Sequence, residues 1–466
     1  MRNSIIYIFL LLSFTACNDK LTLSPAVQLP TEDALTDIAG VNAGISGMYA
    51  GMRSVNYYGR NFLVIPELAA DNVYLSATNS NRFPSTFRVT WLTSDGDITN
   101  LWNQTYTVML RANNIINSIP ALKDGTDAEK NSALGQALFV RALTHFDLLR
   151  VFAQPYAIGG GSAPGIPVMT KFEVGSPARN TEDEVYTQII DDLTQAKSLL
   201  ESDAGNPYNA NAYSVSALLA RVYLYKGDNA NAVTESSVVI NSGEYAIVTA
   251  KDLPDFYNTP GTSEDIFTLR VLSTESLGSD DVGRIYLKPG YGDIRVSPDI
   301  VKVFDTDDAR YTSFILPFSG SPTEYENEKF YGQDGISGLY SPKILRISEQ
   351  YLIRAEANAK LGNYAAAIED VNAIRANRKL PDLVNIPDAD VLANVLLERR
   401  KELMFEGHRY FDLLRNKQDI VRTFCGDAVE LNTPACTYPA TSPTVIPPIP
   451  QREIDVNKNI QQNAGY

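Results

Sequence analysis

The 466-residue chain carries 40 Lys and Arg against 55 Asp and Glu, a formal charge of −15. That balance argues against a nucleic-acid partner, which needs clustered cations, while 44% hydrophobic and 10% aromatic residues exclude extended disorder. With only two histidines, His145 and His408, a multi-histidine metal site is excluded.

Residues 1–16 read as an export signal. Arg2 supplies a short basic region, Ile5 to Phe14 an apolar run, and Phe14-Thr15-Ala16-Cys17 a small-residue cleavage site. The run is half of the roughly 20 residues that span a bilayer. Its end resembles a bacterial lipobox, which implies that Cys17 becomes the acylated first residue of a single body covering 17–466, tethered to a membrane without a spanning helix. Cys425 and Cys436 remain, around a turn-rich segment with Gly426, Asn432 and Pro434. In an oxidising compartment they are candidates for a local disulfide, the alternative being two buried thiols.

Apolar residues at three-to-four spacing (Leu35, Ile38, Val41, Ile45, Met48, Met52) predict an amphipathic helix after Thr31. Asp71, Asn72 and Arg82 lie in or beside the polar stretch DNVYLSATNSNRF, and Trp91 in TFRVTWLTSDGD. They are either ordinary loop and packing residues or an indole with a hydroxyl-gripping rim. Asp95, Asp97 and Thr99 have the alternating oxygens of a calcium loop but lack its Gly and distal Glu. Residues 101–118, with Trp102 at core spacing, and 128–152 predict two further helices, ended by Pro120 and Pro155. The following AIGGGSAPGIPV lacks the strand-to-helix setting of a phosphate loop. Thr181 and Glu184 then form a capping box for a helix that buries Val185, Ile189, Leu193, Ala196 and Leu200.

Residues 213–241 read as helix, Gly227-Asp228, helix, and 347–377 as helix, Gly362-Asn363, helix. In the second, Leu361-Gly362-Asn363-Tyr364 followed by Ala367-Ile368 matches the turn of a tetratricopeptide unit. The fold class is therefore mostly α: tetratricopeptide-like hairpins forming a scaffold over about 31–242 and 343–466. Between them, 245–345 reads as a loop-rich insertion with short strands such as Ile266–Val271. Its aromatics are dense, and Tyr286, Tyr291 and Tyr325 are candidate ligand contacts, Tyr291 because Gly290 and Gly292 would leave its ring open. His145 and His408 sit among helix-packing residues, and Arg399, Arg400, Glu402, Glu406, Arg409, Asp412 and Arg415 are suited to ion pairs along one helix.

Several segments together resemble the SusD/RagB family of Bacteroidetes outer-membrane lipoproteins. They are ERRKELMFEGHRYFDLLR (398–415), the tail IPPIPQREIDVNKNIQQNAGY (446–466), YLIRAEANAKLGNYAAAIEDVNAIRANR (351–378), LGQALFVRALTHFDLLRVFAQPY (134–156), SALLARVYLYKGDNANAV (216–233) and LWNQTYTVMLRANNII (101–116). The resemblance implies a lipid-anchored, surface-exposed protein of the outer membrane that binds a nutrient, usually an oligosaccharide from starch or another glycan, and passes it to a SusC-like TonB-dependent transporter. It implies no enzymatic activity and no cofactor, and it places a ligand-contacting tryptophan near Trp91. Peptide capture is the alternative within the family. A glycoside hydrolase is the alternative from another class, since paired carboxylates would suffice, although no motif marks such a pair.

Overall fold

The helix signals become a stack of antiparallel hairpins in a computed structural model, which describes residues 34–288, 290–321, 323–423 and 436–466. The export signal, Cys17 and Cys425 lie outside the described residues. Cys436 is disulfide-bonded. Eighteen α-helices are present among the described residues, and the sheets are small and antiparallel.

The frame is built from α1 (Ile38–Met52), α2 (Asn61–Leu68), α3 (Gly96–Ser118), α4 (Asp127–Phe152), α5 (Glu182–Leu199), α6 (Ala212–Lys226), α7 (Asn229–Asn241), α8 (Ile347–Lys360), α9 (Tyr364–Ala376), α10 (Asp388–Glu402) and α11 (Arg409–Arg415). Asp37 caps α1 by accepting from the Gly40 N–H. Thr126 with Glu129 and Thr181 with Glu184 form complete capping boxes on α4 and α5. α4 is the axis of the frame, buried almost continuously from Ala133 to Phe152. It meets α3 on one side and α5 on the other, and Arg141 forks onto Asp192 of α5 at 2.8 and 2.6 Å.

Two hairpins, α6–α7 and α8–α9, turn through Gly227 and Gly362, whose φ values of 85° and 82° only glycine adopts without strain. Tyr364 packs against the buried cluster that includes Ala355, Ala359 and Ala367, consistent with a tetratricopeptide turn. α7 packs on α8, so the hairpins are neighbours although the 245–345 insertion separates them in sequence. The insertion leaves and re-enters through one antiparallel ladder, β2 (Asp265–Thr268) with β8 (Lys343–Arg346). Within it, β3 (Ile294–Val296), β4 (Ile315–Pro317) and β5 (Tyr325–Asn327) join β1 (Val73–Leu75), from the first quarter of the chain, in the order β1-β3-β5-β4.

A buried ion cluster holds the insertion to the frame. Arg346 of β8 donates to Glu264, Glu402 and Glu406 at 2.8–2.9 Å. Arg378 reaches Glu402 at 2.8 Å, Arg310 reaches Asp308, Glu398 and Glu402, Lys329 reaches Glu406, and Arg375 reaches Glu398. Five cations thus face five carboxylates, and the cluster is neutral where desolvation would penalise any excess charge. Burial pushes the Glu402 carboxyl up, but Arg378 and Arg346 beside it hold it well below the usual range.

Glu182, the first residue of α5, is the opposite case. It is 0% exposed, neither oxygen has a hydrogen-bond partner among the described residues, and burial followed by the charge of Asp183 pushes its carboxyl up to about 8. It lines a narrow cleft with Arg150, Tyr186, Tyr225 and Phe411. The Arg150 Nε and Tyr225 hydroxyl also lack partners there, in about 20 Å³ of open space, room for one water.

Two stability predictions follow from these carboxylates. Glu402→Ala leaves three guanidinium groups short of a counter-charge and is expected to destabilise by about 3–5 kcal/mol in urea melts. A carboxyl whose folded pKa exceeds its unfolded value of 4.5 contributes stability below that value and loses it as pH rises towards 8. Glu182→Gln should therefore be more stable than wild type by about 1–3 kcal/mol at pH 8.5 and nearly indistinguishable at pH 5; a constant difference across that range would contradict the assignment.

Candidate ligand surface

The insertion puts its exposed rings on one loop surface, and backbone hydrogen bonds show how. The Tyr291 N–H donates to the Arg284 carbonyl at 2.7 Å, closing a tight turn in which a Cβ on Gly290 would stand 2.2 Å from that same oxygen. The turn throws the Tyr291 ring outward, and it is 42% exposed. Next to it, Gly283 donates to Gly338, which donates in turn to the Tyr331 carbonyl at 2.9 Å. Tyr331 is 46% exposed, so two exposed tyrosines lie on loops whose backbones are linked through residues 283–284 and Gly338. Leu272 and Leu277, from the same insertion, are exposed as well.

Polar groups surround Tyr291. The Arg82 guanidinium lies 3.9 Å from the ring centroid, and its hydrogen bond, with one from Ser279, holds the phenol below the usual tyrosine range. Arg82 also reaches Asp280 at 3.3 Å. Asp280 is held more closely by Arg60, at 2.7 Å, and Arg53 pairs with Glu275 close by in sequence. Flat rings ringed by carboxylate and guanidinium groups suit a ligand with an apolar C–H face and a hydroxyl rim.

Of the residues singled out from sequence, the structure brings Arg82 and Tyr291 together and takes four others off the surface. Trp91 follows the short helix Pro84–Arg88 and is 3% exposed, with its indole N–H unpartnered among the described residues. Tyr286 is 0% exposed and packs on Phe330 and Phe405. In this conformation neither ring has a face to give a ligand. Asp71 and Asn72 form a rivet, not a rim. Asp71 accepts from Arg409 at 2.7 and 2.9 Å, while Asn72 donates to Glu67 at 3.0 Å and accepts from Arg400 at 2.9 Å. They join the end of α2 to the last turn of α10 and the first residue of α11. Tyr325 is half-buried on β5 and bonds to the Tyr311 phenol.

Tyr331, Asp280 and Arg60 were not singled out. Tyr331 carried the same signal as Tyr291, a flanking glycine (Gly332) with Gly335 and Gly338 nearby, all three with positive φ. Asp280 and Arg60 carried none, being more than 200 residues apart in sequence.

The histidines are structural. Burial pushes His145 down to about 3, the neighbouring Arg141 charge adding to it, and its Nε2 accepts from the Met169 N–H at 3.1 Å. Burial and the arginines around it also hold His408 well below its usual value. Among the described residues no group of three or more His, Cys, Asp or Glu side chains is placed to hold a metal, and no helix is long and apolar enough to cross a membrane. Larger concavities lie on the frame, such as a groove of about 810 Å³ beside Trp102, Tyr106, Val174 and Val456.

Comparison with known proteins gives a consistent result. A model of the SusD family matches residues 320–466, and one described as "Starch-binding associating with outer membrane" matches 23–224. SusD-like protein P2 of Formosa agariphila is 27% identical, with 100% of both chains covered. A Bacteroides vulgatus protein described as a candidate sugar binding protein superposes with a TM-score of 0.85 at 28% identity, covering 93% of this chain and 99% of its own. A SusD superfamily protein of Bacteroides thetaiotaomicron gives 0.82 at 28% identity, covering 92% and 99%.

The burial of Trp91 is directly testable. Trp91→Ala is expected to lower stability by about 3–5 kcal/mol in urea melts, as core aromatic truncations do; a loss below about 0.5 kcal/mol would place the ring at the surface.

Proposed function

Because the chain belongs to the SusD/RagB family, we propose that it captures an oligosaccharide on the Tyr291–Tyr331 surface and releases it chemically unchanged. The observation that carries this reading is the pair of exposed tyrosines on the insertion, Tyr331 and Tyr291, the latter with Arg82 and Asp280 beside its ring. A sugar ring offers an apolar face to an aromatic ring and hydroxyls to a carboxylate such as Asp280, and an exposed surface holds it without enclosing it. The family description that matches residues 23–224 names starch binding and association with the outer membrane, which supports a glycan ligand and that location.

In this reading the mature chain is displayed at the outer membrane by acylated Cys17 and hands its cargo to a TonB-dependent transporter. A lipid tether keeps the binding surface close to that pore, so transfer is governed by effective concentration more than by tight binding.

Calorimetry of the mature chain against malto-, xylo- and uronate-bearing oligosaccharides, with a peptide panel alongside, tests the reading. Heat with at least one glycan class is expected, and heat with peptides alone would replace it by peptide capture. The double variant Tyr291→Ala/Tyr331→Ala should bind the best glycan roughly tenfold more weakly or worse, with an unchanged melting temperature. Wild-type affinity in that variant would move the site elsewhere, and new reducing ends during incubation would show hydrolysis.

A further inference from the structure

One face of the Tyr291 ring is covered, although the residue as a whole is 42% exposed. The Arg82 guanidinium lies over that face at 3.9 Å from the ring centroid, the position that a sugar stacked on the same face would need. Two planar groups cannot share one face of one ring, so Arg82 and a stacked ligand compete.

The backbone beneath Arg82 is tightly fixed. Asn81 and Phe83 on either side have φ values of 63° and 60°, a left-handed conformation that non-glycine residues keep only when their surroundings enforce it. The Asn81 N–H donates to Asn79 at 2.7 Å, the Ser80 N–H donates to Asp293 at 3.0 Å, and the Phe83 side chain is buried.

The Arg82 side chain, by contrast, is loosely held. Its hydrogen bonds to Ser80 Oγ and Asp280 Oδ1 are both 3.3 Å long, and a further one is to the phenol of the Tyr291 ring it covers. The same Asp280 oxygen already accepts the 2.7 Å bond from Arg60, so it keeps a counter-ion when Arg82 leaves. A partly exposed cation–ring contact and a partly exposed ion pair are each modest in strength. The loop therefore stays in place while the side chain can swing aside at small cost.

We propose, resting on the glycan reading above, that Arg82 is a displaceable cap on Tyr291. In the free protein it occupies the ring face that cargo takes, and a stacking ligand binds by pushing it off. The cap shields an exposed aromatic surface from unselective apolar contacts and lowers affinity for every stacked ligand by a similar factor. The contrasting role, Arg82 as a direct grip on ligand hydroxyls, makes the opposite prediction for its removal.

The test is calorimetry on the mature full-length chain with the malto-, xylo- and uronate-bearing panel, comparing wild type with Arg82→Ala and Arg82→Gln. The second variant keeps a short polar side chain and guards against a folding defect in the first. The cap predicts that both variants bind the best glycan about 3- to 10-fold more tightly, with melting temperatures unchanged. Equal or weaker binding in both variants overturns the cap and leaves the glycan reading standing. If no glycan binds wild type or either variant, the reading falls and the cap falls with it. Binding that appears only in the variants supports both.

Discussion

Glu402 is the residue on which the architecture turns. It receives Arg346 from the returning strand of the insertion, Arg378 from beyond α9 and Arg310 from inside the insertion, all within an interior that water does not reach. Each arginine alone would be an unaffordable buried charge; around one carboxylate with its neighbours they are neutral and mutually positioned. The geometry also fixes topology. The cluster can form only if the insertion leaves the frame at Glu264 and returns at Arg346, and that requirement closes the β2–β8 ladder and keeps α7 against α8. A loop-rich segment of about a hundred residues thus has a defined orientation on a helical stack.

The two kinds of buried carboxylate divide the pH axis between them. Acid must protonate Glu402 and Glu406 against arginines that hold both below their usual range, so the cluster carries stability present above the unfolded carboxylate value and lost as pH falls below it. Glu182 has no hydrogen-bonded cation among the described residues, the Arg179 charge offsets its burial only in small part, and it works in the other direction, drawing down stability as pH rises towards 8. The fold is consequently best supported between the two, where the cluster is ionised and Glu182 is largely protonated.

The frame was largely legible in the sequence. Period, capping boxes and the Gly227 and Gly362 turns are local signals, and α4 to α9 fall within a few residues of their predicted bounds. The charged residues of 399–415 were read as ion-paired, and they are, but their partners could not be named. Glu264, Arg310, Arg346 and Arg378 are scattered through the chain, and only tertiary folding brings them to Glu402. The ligand surface was legible for a similar reason only in part. The glycines beside Tyr291 announce a turn that exposes its ring, a backbone effect local enough to read. Trp91 and Tyr286 sit in equally polar or glycine-bearing surroundings, yet their rings turn inward. Whether a ring turns in or out depends on what the remote chain offers it: Phe330 and Phe405 for Tyr286, the Arg82 guanidinium for Tyr291.

That contrast bears on how such a surface can be selective while remaining open. A deep pocket selects by enclosure, and its cargo leaves slowly because every contact must break together. Here the backbone is pinned through Asp293 and two residues of positive φ, and the proposed cap requires only a side chain to move. Rigid presentation keeps the ring geometry ready for a flat ligand, so little ordering entropy is lost on binding. In the proposed cap, a side chain over the ring would set a threshold that weak apolar contacts do not pass and a well-stacked sugar does. The same side chain is available to return when cargo departs, which favours release. Tight framing below and loose covering above together give a surface whose affinity is limited by design of its contacts rather than by lack of them.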